Sequence, residues 1–581
     1  MSSLMQNRYD DAIKLIEPLF RQRAEVAHIP GVAYGVVANG ELVGVNSFGV
    51  RENVSNSSAE SDTVFRIASM TKSFCAAAIL QLRDANKLRL DDLVVSHVPD
   101  LHDLNYPTAD SPPLTIRHLL TMTAGIPQDD PWADRQLYRT DQAMSGFYQQ
   151  GATFSAPPAT RFEYSNYGYM LLGRIITNVS GQPAMQYVTD HLLKPLGMHA
   201  TVWNASDVPA DKLAHGYVWL DEAWQEDEML VSGGDNVLFA GIFTTVADLG
   251  KWVNFFLSAW PPRDEADNLI LKRSSLREMQ QPWSLISTSI KPYELGQSPE
   301  LSTGHYGYGL FINHNGRYST VGHGGGLPGF GSYMCWSPEH NIGIIALGNE
   351  RYGGFSQACL AAINLLIEQL EIVVPKSVPS ADLSQAYQVV SQLVVGWDDA
   401  LADTLFADNF FLDLDRPHWQ AKLSKLRQKH GKFEQVQEQE IEAEDWLRGR
   451  WRLPAENGWC DLFISMTPTV PPLVQKLTIK SVMPLSADMQ QVAQRLAELV
   501  TRPILADLDE LRSSDSNRGT MWKKIRLVNL MCGACFAGDI LESDGECRAV
   551  LLFNGDKANT RVVLGLDQSG KMAKVRFLNA E

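Results

Sequence analysis

Cysteine is scarce. Seven residues in a chain of 581 form an odd and sparse set, which fits a reducing compartment better than a disulfide framework and points to a cytoplasmic protein. Long apolar runs are missing as well. No stretch approaches the roughly 18 uninterrupted apolar residues of a membrane-spanning helix, so no membrane partner is expected. Asp10, Asp11, Lys14 and Glu17 interrupt the opening segment, and no secretory leader is expected. Positive charge is short: 50 Lys+Arg stand against 67 Asp+Glu, a formal net charge of −17. With no run rich in Lys and Arg, nucleic acid is not an expected partner, because phosphate binding needs a basic surface. The H-E-x-x-H pair of a zinc peptidase and the dinucleotide fingerprint are absent too. No cofactor and no metal are expected.

What remains is a globular balance, 45% hydrophobic and 20% charged, in a chain long enough for several domains. Residues 9–28 have helical apolar spacing at Ile13, Ile16, Leu19 and Phe20. Gly31–Val37 and Leu42–Phe48 alternate on either side of Asn39-Gly40, a hairpin signal. Four further strands are expected at Gly307–Asn313, Tyr318–His323, Ser332–Trp336 and Ile342–Leu347, then an apolar helix at Ser356–Leu370. Strands at both ends with helical chain between them imply an α+β class: an antiparallel sheet closed by both termini, plus a helical insertion. Pro127–Tyr148 and Ser284–Ser302 read as loops that shape a pocket.

Two Val-Pro steps mark residues 373–383 as a linker between a domain at 1–372 and smaller α+β modules at 384–483 and 484–581. Trp419 and Phe433 lie fourteen apart, as do Trp522 and Phe536, and each half ends in an alternating strand, so the second module reads as a repeat of the first. Chance spacing explains the same pairs. Leu401–Phe411, Trp419–His430 and the strands from Phe433-Glu434-Gln435-Val436 onward resemble nuclear transport factor two-like cone modules. That resemblance implies a ligand-binding, covering or homo-oligomerising attachment; the plainer reading is a structural one.

Ser69-Met70-Thr71-Lys72 carries the chemistry. Ser73–Asp84 behind it reads as a buried helix, so Ser69 sits where the helix dipole favours negative charge. Lys72 lies one turn on, on the same face, and a desolvated amine beside a hydroxyl can act as its base. A helix-capping serine explains the same four residues. Tyr164-Ser165-Asn166 precedes a second helical run. A tyrosine near a cationic amine can have a lowered pKa, and an asparagine amide can orient the amine; a core tyrosine with a capping Asn166 is the plainer account. Gly322-His323-Gly324-Gly325-Gly326 ends a strand, where glycines let a substrate backbone lie against the edge, or simply make a tight turn.

Together, S-x-x-K, Y-x-N and a strand H-x-G in this order resemble the serine β-lactamase and penicillin-binding protein superfamily. The likeness is to its class C branch, which also holds D-amino-acid-specific peptidases, DD-peptidases and esterases. Leu114–Gly125, Pro195–Met198, Ala240–Leu249 and Gly322–Phe330 carry the same resemblance, which covers about residues 10–372. It implies Ser69 as nucleophile, Lys72 as helper base, and Tyr164 as general base and then acid. It assigns Asn166 to Lys72 and the substrate amide, and the N–H groups of Ser69 and Gly326 to the oxyanion, with Gly325 and His323 lining the substrate strand. Classical β-lactamases carry Lys where His323 stands, and a neutral histidine weakens the attraction for a penicillin carboxylate. The expected activity is therefore acyl hydrolysis of small amides or esters, such as D-amino-acid peptides. A β-lactamase or DD-peptidase and a silent sensor on the same fold are the alternatives. Acylation is expected to weaken below about pH 6.

Three competing sites are weaker. Gly354-Phe355-Ser356-Gln357-Ala358 nearly matches a nucleophile elbow but lacks its last glycine, and Ser356 reads as a helix N-cap. Cys532 and Cys535, with Cys547 and Cys460, have irregular zinc spacing and read as buried thiols. Trp451, Trp459 and Trp522 read as core.

Overall fold

The computed structural model describes residues 3–101, 104–229, 231–267, 270–290, 301–315, 318–370, 372, 374, 377–434, 441–514 and 516–579. The chain divides into two compact units after Val374.

The first unit opens with α1 (Ser3–Val26) and the hairpin β1 (Gly31–Ala38) and β2 (Glu41–Glu52). Its turn places Asn39 at φ 50° and Gly40 at φ 83°, the left-handed pair that a two-residue hairpin needs. The helices α2 (Thr71–Asp84), α3 (Asn166–Ser180) and α4 (Val246–Leu257) follow. Then come β3 (Ser284–Ile290), β4 (Leu301–Tyr306), β5 (Phe311–His314), β6 (Ser319–Leu327), β7 (Phe330–Ser337), β8 (Ile342–Gly348) and α5 (Ser356–Gln369). Strands β2, β1, β8, β7, β6, β5, β4 and β3 lie side by side in that order, with Ser57–Ser58 beyond β2. The first strand therefore pairs antiparallel with the last, Val32 opposite Gly348. Asn349 ties the seam, accepting from Gly31 N at 2.7 Å. One core buries Ile16 and Phe20 of α1 with Ile363 and Leu366 of α5, and the larger core packs α2, α3 and α4.

Three expectations need correction. The strand expected at Gly307–Asn313 runs instead over Phe311–His314, because Gly309 turns at φ 69° and presses on the Lys72 carbonyl, which a Cβ there would meet at 2.6 Å. Ser284–Ile290 is the edge strand of this sheet and Leu301–Tyr306 the strand beside it, and neither is loop; residues 291–300 lie outside the described residues. Pro127–Tyr148 contains the short helices Asp130–Ala133 and Asp141–Tyr148.

The second unit runs α6 (Ala381–Val395), α7 (Asp399–Leu405), α8 (Arg416–His430), then β9 (Glu442–Asp445), β10 (Arg448–Pro454), β11 (Trp459–Met466) and β12 (Val474–Val482). The same order returns in α9 (Ala487–Thr501), α10 (Leu505–Leu511), α11 (Arg518–Cys532), β13 (Cys535–Ser543), β14 (Arg548–Gly555), β15 (Thr560–Leu566) and β16 (Met572–Asn579). The eight strands form one sheet, joined at its middle by the parallel pair Val482 and Ser543. Each half has its own core. Of the expected linker, residues 373, 375 and 376 lie outside the described residues, as do Gln435 and Val436 of the resemblance quoted for the first module.

Among the described residues no helix is long and apolar enough to cross a membrane. Nor does any group of three or more His, Cys, Asp or Glu side chains among them stand ready to hold a metal ion. Cys460 lies in the core of the first half, Cys532 and Cys535 lie in that of the second, and Cys547 is exposed. Trp451 is buried.

Candidate active site

The nucleophile candidate sits on a turn made for it by backbone and packing. Ala68–Met70 forms one 3₁₀ turn ahead of α2. Ala68 adopts φ 50°, a left-handed conformation that costs a non-glycine residue about 1–2 kcal/mol. Neighbours hold the turn in place. Ser332 Oγ donates to Ile67 O at 2.8 Å, and Gly325 lies so close that a Cβ would meet Ile67 O at 2.0 Å. The helix N-cap is Met70, which makes no side-chain cap, so Ser69 is not a capping serine.

Behind it α2 is buried from Thr71 to Leu80. Lys72 points into this core, yet its amine is surrounded by oxygens: Ser69 Oγ at 2.9 Å, Asn166 Oδ1 at 2.6 Å and Phe239 O at 3.2 Å. Burial pushes the amine down to about 7, against the pull of Asp130, Asp134 and Asp129. Two carbonyl oxygens take two N–H bonds, which leaves the third direction, a lone pair in the neutral amine, aimed at the Ser69 hydroxyl.

Tyr164 stands over this group, its ring centroid 4.8 Å from the Lys72 amine. Burial drives its phenol well above the ordinary range; nearby Tyr306 adds to this, and a hydrogen bond to Ser69 opposes it. This is the opposite of the lowered value the sequence leads one to expect. Desolvation of the phenolate outweighs an amine that is itself losing its charge. Asn166 opens α3, whose N-cap is Ser165 accepting from Gly168 N. The cap therefore frees the Asn166 side chain, which sequence reading allowed as a cap itself.

His323 is buried on β6. Its Nδ1 lies 2.5 Å from Gly324 O and its Nε2 3.1 Å from Tyr306 Oη. Nδ1 therefore carries the hydrogen and Nε2 accepts. Burial, helped by Lys72, lowers the ring to about 3, so it is neutral at any ordinary pH. The β6 register with β5 ends at Gly322, whereas that with β7 continues to Leu327. The Gly324–Gly326 edge beyond faces a cavity of about 720 Å³ lined by Ser69, Tyr164, His323, Gly325 and Gly326. Lys72 and Asn166 lie directly behind its wall. All seven residues singled out from sequence thus meet around one cavity.

Sequence reasoning missed the acidic wall. Asp130 and Asp134 line the cavity, and no Lys or Arg is among its described lining residues. Burial raises Asp134 to about 6, and its Oδ2 accepts from Tyr352 Oη at 2.7 Å. The only signal was two adjacent aspartates before Pro131, inside the Pro127–Tyr148 stretch that reads as a loop. Ser356 also lines the cavity, but it opens α5 behind an N-cap at Phe355 and does not cap the helix itself.

A family profile described as Beta-lactamase matches residues 16–367. The protein flp of Staphylococcus aureus strain MW2 is 31% identical over 345 residues, 58% of this chain and 64% of that protein. The chain thus spans less than two thirds of that relative. The D-alanyl-D-alanine-carboxypeptidase/endopeptidase AmpH of Escherichia coli K12 is 25% identical over 355 residues, 59% of this chain and 86% of that protein. The octameric penicillin-binding protein homologue from Pyrococcus abyssi has the same fold over 98% of both chains, with a TM-score of 0.51 and 18% identity.

Proposed function

The chain belongs to the beta-lactamase family, and from that premise we propose that it hydrolyses small amides or esters through an acyl-enzyme on Ser69. The carrying observation is the Lys72 amine, poised near neutrality 2.9 Å from the Ser69 hydroxyl. Neutral Lys72 takes the Ser69 proton as Oγ attacks the carbonyl carbon. The oxyanion that forms is held by the N–H groups of Ser69 and Gly326, where one donor is worth about 3–4 kcal/mol. Tyr164, kept protonated by burial, hands its proton to the leaving amine or alcohol and is recharged from Lys72. Water then enters from the cavity, and the same pair removes its proton to release the acid. Asn166 holds Lys72 and the substrate amide.

The substrate class follows from charge. A neutral His323 and an acidic wall without Lys or Arg among the described lining residues disfavour substrates with a carboxylate near the scissile bond. Neutral or cationic acyl compounds, such as D-amino-acid amides, esters or peptides, suit the cavity better than penicillins. AmpH, named as a peptidase, supports amide over ester cleavage. Intact Ser69, Lys72 and Tyr164 argue against a silent sensor. We also propose a cytoplasmic setting, the domain division at 1–372, 384–483 and 484–581, and assembly of copies through the C-terminal modules. The Pyrococcus relative, described as octameric, supports assembly.

Intact-protein mass after a fluorophosphonate, and separately after a penicillin, tests the reading. A single adduct in wild type and none in Ser69→Ala is expected with the fluorophosphonate, with a half-maximal labelling rate near pH 7. An equal adduct in both proteins would sink Ser69 as nucleophile. Rapid penicillin turnover would replace the charge argument with a lactamase.

A further inference from the structure

We propose that Asp129 and Asp130 are positioning residues: they hold the Asn166 amide in the one orientation that presents its carbonyl oxygen to Lys72, and their charge reaches the amine through it. The inference rests on the reading of Ser69 and Lys72 above.

An asparagine amide can sit either way round, and its neighbours decide. Asn166 Nδ2 lies 2.8 Å from Asp130 Oδ1 and 3.2 Å from Asp129 Oδ1. Both of its N–H groups therefore point at carboxylate oxygens. Turning the amide over would set Oδ1 against two anions and Nδ2 against the Lys72 ammonium, losing both bonds to the carboxylates and the one accepted from Lys72. The backbone is fixed by the same group: Asp129 Oδ1 accepts from Asn166 N and Oδ2 from Tyr167 N, each at 2.8 Å. Asp129 occupies the N-cap position of its own short helix, Asp130–Ala133, but does not cap it. Its carboxylate is turned to α3 instead. Asp130 is steadied by Gln128 Nε2 at 2.9 Å on its other oxygen.

The arrangement is a relay: two carboxylates, one amide, one amine, one hydroxyl. The titratable groups around Lys72 are Cys75 of its own helix, Tyr164 and Tyr169, His323 of β6, and Asp129, Asp130 and Asp134. Burial keeps the thiol and both phenols protonated and the imidazole neutral. Only the carboxylates carry charge to Lys72, Asp130 most strongly. Asp134 bonds Tyr352 and leaves Asn166 alone. A nearby anion stabilises the ammonium, so removing one makes Lys72 easier to deprotonate.

Two substitutions separate charge from orientation. Asp130→Asn keeps an oxygen for Asn166 Nδ2 and deletes one charge. The acid limb of the fluorophosphonate labelling rate, followed from pH 5 to 9, should move to lower pH by at least about 0.5 unit. Asp129→Asn must turn an N–H toward a backbone N–H that needs an acceptor, and its plateau rate should fall at least about tenfold. An acid limb of Asp130→Asn that stays put or moves to higher pH overturns the proposal, whether or not Asp129→Asn folds. So does an unchanged plateau in folded Asp129→Asn. Wild type unlabelled at every pH overturns the reading of Ser69, and this proposal with it. Labelled wild type with an unmoved Asp130→Asn limb overturns the proposal alone.

Discussion

Lys72 is fully charged in water at neutral pH and has no exposed surface in the fold. Folding therefore penalises its ammonium form, and the amine falls from its ordinary value to about 7. The sign of the stability effect follows. Between pH 7 and about 10.5 the unfolded chain binds a proton that the folded chain does not, so this group's contribution to stability rises with pH through that window. It is complete above the unfolded value and lost as pH falls through the folded one. Lys72→Met removes the term. Its stability relative to wild type should be highest near pH 6 and decline by pH 9, at a rate of at most about 1.4 kcal/mol per pH unit. Melts at the two pH values check it; a relative stability that does not fall with pH would mean that Lys72 stays charged. The same residue revises the sequence-based expectation for activity. Acylation should fade below about 7 rather than about 6, because Lys72 and not Tyr164 is the group poised to titrate there.

Elements were legible where one face of them is dry. The β1–β2 hairpin, β6 to β8 and α5 alternate or run apolar because a core lies against them, and they stand within a few residues of their expected places. Ser284–Ile290 escaped because it is an edge strand, mostly exposed on both faces, and its Ser and Thr residues carry no alternation. Ser69, Lys72, Tyr164 and Asn166 were legible as spaced motifs, whereas Asp129 and Asp130 gain meaning only when the fold brings them to α3. Glycine 325 shows what a motif cannot say. Its missing Cβ lets β6 lie against the turn that carries Ser69, with Ile67 O and Ser332 Oγ where that carbon would go, at 2.0 and 2.4 Å. Gly325→Ala must push strand and turn apart, and the Ser69 labelling rate should fall about 100-fold or more, as for a lost oxyanion donor. Gly324→Ala next door meets the Tyr333 ring, nearest at 3.1 Å, and the Ser332 carbonyl oxygen at an ordinary 3.7 Å, and should stay within about tenfold. Equal losses at the two positions would sink the packing argument.

At the scale of the whole molecule the C-terminal unit repeats its caps as well as its elements. Ser380 caps α6 through Leu383 N, and Ser486 caps α9 through Met489 N. Gly431 ends α8 at φ 75°, ψ −146°, and Gly533 ends α11 at φ 72°, ψ −142°. Phe406 bridges in parallel to Val474, and Arg512 to Met572. Aligned on those glycines, Trp419 falls opposite Met521 and Phe433 opposite Cys535, all four buried. The Trp522 and Phe536 landmarks are therefore one residue out, and Phe536 is 64% exposed. Spacing between aromatics misled because the repeat conserves burial and capping, not residue type. The two cores share no member, and the halves meet in one sheet through the pair Val482 and Ser543. Leu453 in the first core and Leu496 in the second are both wholly buried, and truncating either to alanine should cost about 2–5 kcal/mol. Followed peptide by peptide in hydrogen exchange, Leu453→Ala should loosen residues of α6 to β12 and leave α9 to β16 protected, and Leu496→Ala the reverse. Loosening of both halves by either substitution would show that eight strands in one sheet override two cores, and that the unit opens as a single cooperative body.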